Sequence, residues 1–214
     1  MKQKNQLFNS HSCLMVCLSY VAGLITLPII VFILLLLSTP KEQFLSGETR
    51  DCEKCDLRNE NLSSRDIQLS NLSGTDFSDA NLQNTILGAA QLQGAKFDNA
   101  NLEGAILRQA FLENATFEGA NLTGADFSCG GGTCTYLENT SFKNANLTGA
   151  DFRGVGFNNS FGDEKGLPNV DFTGANLTKA NFEGASIKGA LMDKAKFCET
   201  IMPDGIISNR DCLN

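Results

Sequence analysis

The chain has 214 residues with 15 Phe, 20 Gly and 8 Cys, but no Trp, two Tyr and a single His. His11 stands in a polar N-terminal stretch, which excludes any protein site built from two or three imidazoles of one chain. The net charge of −7 and pI near 4.7 have the wrong sign for a protein that binds nucleic-acid phosphates.

Lys2 and Lys4 are the only charged side chains before Lys41. Between them, Cys13–Leu37 is a run of 25 largely apolar residues, CLMVCLSYVAGLITLPIIVFILLLL. At about 1.5 Å per residue, a helix of that length exceeds the roughly 30 Å hydrocarbon core and can span it with tilt. The run is longer than a signal-peptide core and leaves through Leu-Ser-Thr-Pro without a small-x-small cleavage site. An uncleaved signal anchor at 13–37 is therefore expected, after a cytoplasmic tail at 1–12 and before a linker at 38–51. Lys2, Lys4 and the α-amino group slightly favour a cytoplasmic N-terminus. Cys13 and Cys17 read as small apolar residues of the span, with acylation as the alternative.

From Leu57 to Met202 a five-residue period takes over. Of thirty positions spaced by five, 28 are Leu, Phe, Ile or Met, the exceptions being Gly132 and Gly162. Two residues before each centre, 26 of thirty are Ala, Ser, Thr, Cys or Val; Glu60, Arg65, Gly130 and Lys165 depart from this. Asp or Asn often precedes the centre, and Gly or Asn recurs two residues after it, as at Gly74, Asn84 and Gly94. Such a period suits neither a helix nor a simple strand. It suits a chain that turns a corner every five residues, with the bulky centre and the small residue pointing inward.

This pattern resembles the pentapeptide-repeat family, A(D/N)LxG in its common form, over residues 55–202. The resemblance implies an all-β solenoid, a right-handed quadrilateral β-helix with four pentapeptides per coil. A twenty-residue repeat agrees with it: LRNENL begins at 57, FSDANL at 77, FDNANL at 97 and FEGANL at 117. FKNANL follows at 142 and FTGANL at 172, so five extra residues enter one coil and ten the next. The β-helix is expected over 52–202, with insertions near 129–134 and 158–169. Ten of the 15 Phe fall on central sites. About six to seven coils at the 4.7–4.9 Å strand spacing make a rod on the order of 30 Å long. The first coil, with Glu60 and Arg65 at inward sites, is expected to be irregular; the alternative is that the two pair with each other.

The six cysteines after the apolar run form three close pairs. Cys129 and Cys134 bracket SCGGGTC, a Gly-rich loop that a disulfide would pinch shut. Cys198 and Cys212 flank TIMPDGIISNRDC, whose Pro203-Asp204-Gly205 is a turn signature, so residues 203–214 are expected to fold back as a disulfide-tied cap. This ending is similar to the disulfide-bracketed terminus of cyanobacterial lumenal or periplasmic family members. Cys52 and Cys55 form a CxxC at the start of the repeats, open to three readings: a disulfide, buried free thiols, or metal or redox chemistry. A four-thiolate zinc site is rejected, since Cys52/Cys55 and Cys129/Cys134 lie three coils apart. Three pairs favour an oxidising compartment, hence a cytoplasmic N-terminus and a repeat domain in a periplasm or thylakoid lumen.

No nucleophile elbow, phosphate loop or dinucleotide fingerprint is present, so no catalytic, cofactor-binding or metal-binding residue is expected and no cofactor is implied. Residues 66–138 carry nine acids against Lys96 and Arg108, whereas 139–214 carry nine acids and eight bases. Asp76, Asp79, Asp98 and Glu118 form a possible acidic interaction face for a basic partner; a solvated exterior is the plain alternative. Two functions follow. One is a membrane-anchored, non-catalytic scaffold that binds a protein partner outside the cytoplasm and no nucleic acid. The other, which the resemblance implies, is a cytoplasmic DNA mimic that occupies a topoisomerase. A redox enzyme would rest on Cys52 and Cys55 alone.

Overall fold

The structure is a computed structural model that describes residues 38–130, 133–158, 163–164 and 166–212. Within these, each five-residue unit closes one side of a square coil. The amide three residues after a centre donates to that centre's carbonyl, as from Ala80 to Phe77 at 3.0 Å and from Ala100 to Phe97 at 3.0 Å. The residue two after the centre has positive φ, for example Asn84 at 56° and Gly74 at 66°, as the third residue of a type II turn requires. Gly and Asn recur at that site because they enter the left-handed region most readily. Leu69 occupies it at φ 61° with its side chain 72% exposed. The left-handed region costs a branched residue about 1–2 kcal/mol, and here no burial offsets it. Leu69→Asn is expected to raise stability by about 0.5–1 kcal/mol, read as a higher urea midpoint at unchanged m.

Coils stack through parallel bridges. Asn61–Asn81, Asn81–Asn101 and Asn101–Asn121 pair at a twenty-residue step. The step becomes 25 from Phe111–Tyr136 to Asp126–Asp151 and 30 from Ser141–Asp171 to Asp151–Asn181. It returns to 20 at Asp171–Leu191. Four faces result. The first carries Asp76, Lys96 and Thr116 on its outer side, the second Asn81, Asn101 and Asn121, the third Ile86, Ile106 and Asp126, and the fourth Gln91, Phe111 and Tyr136.

Inside the square run columns of Leu and Phe with almost no exposure. Phe77, Phe97, Phe117, Phe142 and Phe172 stack with successive centroids 4.6–5.1 Å apart. Phe127, Phe152 and Phe182 form a second stack, set edge-on to the first. The small inward residues fill the corners. Where these are Thr, the buried hydroxyl donates to a central carbonyl of the preceding coil, as from Thr85 to Leu62 and from Thr140 to Leu112.

Both interruptions leave the wall at one corner, between the third and fourth faces. The first is closed by a Gly130–Thr133 bridge and the Cys129–Cys134 disulfide. The second is a hairpin in which β1 (Phe157–Asn158) pairs antiparallel with β2 (Asp163–Glu164). The backbone of Phe157, which stands at a central site of the five-residue period, belongs to this hairpin. Its base is pinched where the Gly166 amide donates to Gly156 at 2.8 Å. A Cβ on Gly156 would collide with the Ser186 carbonyl oxygen, so the narrow base needs glycine.

Two expectations about the start of the β-helix need correction. Residues 38–51, read as a linker, contain the helix α1 (Pro40–Ser46). Thr39 caps it with a reciprocal Glu42 contact, Pro40 opens it and Gly47 ends it at φ 85°. Its Phe44 is fully buried against the first coil. That coil keeps the regular bridges Asp56–Asp76, Asn61–Asn81 and Asp66–Ile86, so it is not irregular. Nor do Glu60 and Arg65 pair with each other. Glu60 meets Lys41 at 2.8 Å, while Arg65 stacks on the Phe44 ring at 4.8 Å and donates to the Phe44 carbonyl at 2.7 Å. At an open end an inward site has no coil beyond it, and a long charged side chain can reach the cap.

The other end is closed in the same manner. β3 (Thr200–Ile201) pairs with β4 (Ile207–Ser208) across the Pro203-Asp204-Gly205 turn. Arg210 then lies over the Phe197 ring at 4.5 Å and donates to the Ala195 carbonyl. No helix among the described residues is long and apolar enough to cross a membrane. The expected anchor at 13–37 and the tail at 1–12 lie outside the described residues.

Candidate interaction surface

The outer side chains decide what the rod can bind, because its interior is filled. Asp76, Asp79, Asp98 and Glu118 all belong to the first face. Asp98 Oδ1 accepts the Glu118 amide at 3.0 Å, and Glu118 accepts the Ser141 hydroxyl at 3.3 Å. Burial raises the Asp76 pKa, but the Ser78 hydroxyl and amide, with Lys96 and Arg58 nearby, outweigh it and hold the carboxyl below its usual range. The face is not uniformly acidic. Arg58 pairs with Asp56 at 2.7 Å, Lys143 with Asp171 at 3.3 Å, and Lys96 occupies the rung between Asp76 and Thr116. Exposed pairs of this kind contribute little to stability and leave a mixed, well-solvated wall.

The second face carries an uncharged amide ladder. Asn121 donates to Asn101 at 3.0 Å and Asn146 to Asn121 at 3.3 Å, with Thr123 and Thr148 hydroxyls bonded to the Asn beside them. On the third face Asp126 binds Arg108 at 2.5 Å and Asp151 binds Arg153 at 2.6 Å. Burial raises the Asp126 pKa, yet Arg108 and Ser128 together keep it below the ordinary carboxylate value.

The fourth face differs in kind. Phe111 and Tyr136 stand outside the wall, half-buried, with rings stacked at 4.9 Å and 4°. The inward phenylalanines, from Phe44 to Phe197, are at most 4% exposed. The sequence carried this signal: both aromatics fall just before a centre, where Asp or Asn is usual. Glu113 and Glu138 follow them two residues later on the same rungs.

The cysteines are joined as Cys52–Cys55, Cys129–Cys134 and Cys198–Cys212. Cys52 and Cys55 are buried in the first coil. No cluster that could hold a metal ion occurs among the described residues.

A sequence profile of pentapeptide repeats matches the chain in eight copies, over residues 51–84, 70–99, 95–128, 133–160 and 167–202. Similar solved structures include the pentapeptide repeat protein Rfr23 from the cyanobacterium Cyanothece 51142, 24% identical, covering 69% of this chain and 94% of that one with a TM-score of 0.35. A pentapeptide repeat protein of the Arabidopsis thaliana thylakoid lumen is 25% identical over 62% of this chain and 68% of its own, TM-score 0.16. QnrB1, a plasmid-mediated fluoroquinolone resistance protein, is 19% identical over 66% and 81%, TM-score 0.21. Comparison with curated proteins gives no match.

Proposed function

The chain belongs to the pentapeptide-repeat family, and from that premise we propose that it is a membrane-tethered, non-catalytic scaffold. Its β-helix would present protein-binding faces to an oxidising compartment, a periplasm or thylakoid lumen. The observation that carries the compartment is that each described cysteine has a disulfide partner close in sequence, at separations of 3, 5 and 14. Such bonds persist where no reducing thiol pool reaches them. The 25-residue apolar run at Cys13–Leu37 supports the tether. A continuous acidic wall would favour the DNA-mimicking alternative, and Arg58, Lys96 and Lys143 interrupt it on the first face.

The test is thiol labelling of intact cells with a membrane-impermeant maleimide. Cys129, Cys134, Cys198 and Cys212 are expected to react only after an impermeant reductant is added, in intact cells for a periplasmic domain and after lysis for a lumenal one. Labelling of these four cysteines that requires cell lysis but no reductant would place free thiols in the cytoplasm and replace this reading with the alternative.

A further inference from the structure

We propose that the fourth face, at Phe111, Glu113, Tyr136 and Glu138, docks an extended arginine- or lysine-bearing segment of a protein partner. The proposal rests on the scaffold reading and supplies the partner's chemistry.

Four observations converge on this site. First, two rings are held outside a wall whose preceding rungs carry the polar Asn71 and Gln91. They bury no core, and their stack is short. The bond from the Asn139 amide to Pro168 sets Leu137 over Leu167, so Tyr136 is followed by Gly166, which has no side chain to continue the stack. The last ring face is where a guanidinium plane fits.

Second, Glu113 and Glu138 sit on the same two rungs, about 4.8 Å apart by strand spacing, and neither has an ion pair among the described residues. Third, Glu113 Oε2 is shielded from solvent and has no hydrogen-bond partner. An unbonded, shielded carboxylate oxygen is costly, and a rotation of the side chain that turns it outward to an arriving cation would satisfy it. Fourth, no Lys or Arg stands on this face at 70–74, 90–94, 110–114 or 135–139. The first and third faces hold their own counter-ions, as Arg58, Arg108 and Lys143 show. Lys54 and Lys188 lie on the two end rungs of the face, so at these four rungs between them the counter-charge has to come from outside.

Adjacent rungs with a ring and a carboxylate each form a flat, linear site, suited to an extended backbone rather than to a compact ligand. The ring is positioned from below: Cys129–Cys134 ties the loop just before Tyr136, and Gln109 donates to the Gly130 carbonyl at 2.8 Å.

The experiment titrates the full chain in nanodiscs with the peptide acetyl-Gly-Arg-Gly-Arg-Gly-amide at 150 mM salt, followed by amide NMR shifts and calorimetry. Shifts are expected to centre on Phe111, Glu113, Tyr136 and Glu138. The Tyr136→Leu and the paired Glu113→Gln/Glu138→Gln variants should each weaken binding at least tenfold. The paired Asp98→Asn/Glu118→Gln variant on the first face should stay within twofold. The proposal is overturned by shifts centred on Asp98 and Glu118, by equal losses in all three variants, or by no binding. Free arginine binding the same site as tightly as the peptide would also overturn it. Crosslinking in intact membranes separates this from the scaffold reading. A partner still captured by the glutamine pair sinks this site alone, whereas no captured partner from the unaltered chain sinks the scaffold.

Discussion

Phe142→Ala is expected to cost about 3–5 kcal/mol, the usual range for emptying a buried aromatic site. Its ring is fully buried, stacked between Phe117 at 5.0 Å and Phe172 at 5.1 Å. It also receives Phe127 and Phe152 edge-on at 5.6 and 6.0 Å. Because coil touches only coil, the surrounding rungs cannot slide inward without breaking bridges, and the cavity should stay open. The position adds a second effect. Phe142 lies in the coil between the two insertions, so the vacancy weakens the join between the twenty-residue stacks on either side. Urea unfolding followed by circular dichroism should pass from one transition to two. Phe142→Leu, which keeps most of the volume, should lose no more than about 1.5 kcal/mol and remain single. A loss below about 1 kcal/mol for the alanine variant would mean that the column is not tightly packed.

Phe44→Ala is the second large effect, and it should be local. The side chain closes the N-terminal end of the rod, held there by the Arg65 guanidinium and by the Lys41–Glu60 pair. About 3 kcal/mol is expected to be lost from the first coil. Native-state hydrogen exchange should show the amides of Leu57, Leu62 and Ile67 opening early, with those of Phe172 and Leu177 unchanged. Loss of protection over the whole rod would contradict a capping role. An uncovered first coil also presents unpaired backbone groups, so concentration-dependent association should accompany the variant.

The period of five made the interior legible before any coordinates. Leu57 to Phe127 lie inward at every fifth residue, and Asn84 and Gly94 take the positive φ that a corner needs. The Phe-Leu landmarks at 117, 142 and 172 carry the same 25- and 30-residue steps that the bridges show. What escaped was whatever depends on partners outside the repeat. Glu60 and Arg65 stood out as departures, but their contacts come from Lys41 and Phe44, in a stretch with no period to read. Thr39, Pro40, Glu42 and Gly47 do spell a short helix, and seven residues are too few for periodicity to reveal it. On the surface, the stacking of Asp98 and Glu118 followed from spacing. That Asp98 Oδ1 would accept the Glu118 amide depends on a side-chain torsion that spacing does not encode. Phe111 and Tyr136 went unremarked in the sequence although both stand where Asp or Asn is usual, and their pairing needed the 25-residue step to be placed on the correct face.

The shared corner of the two insertions has a consequence for how such a chain can change. The added five and ten residues leave the wall and re-enter it at the same corner, so every side chain downstream returns to the face it would have had. Residues added within the wall, in any number other than a multiple of five, would instead turn the interior outward from that point to the end. The rod therefore grows where the added chain leaves the wall and disturbs neither Phe127 below nor Phe152 above, whose rings stay 4.8 Å apart and 2° from parallel.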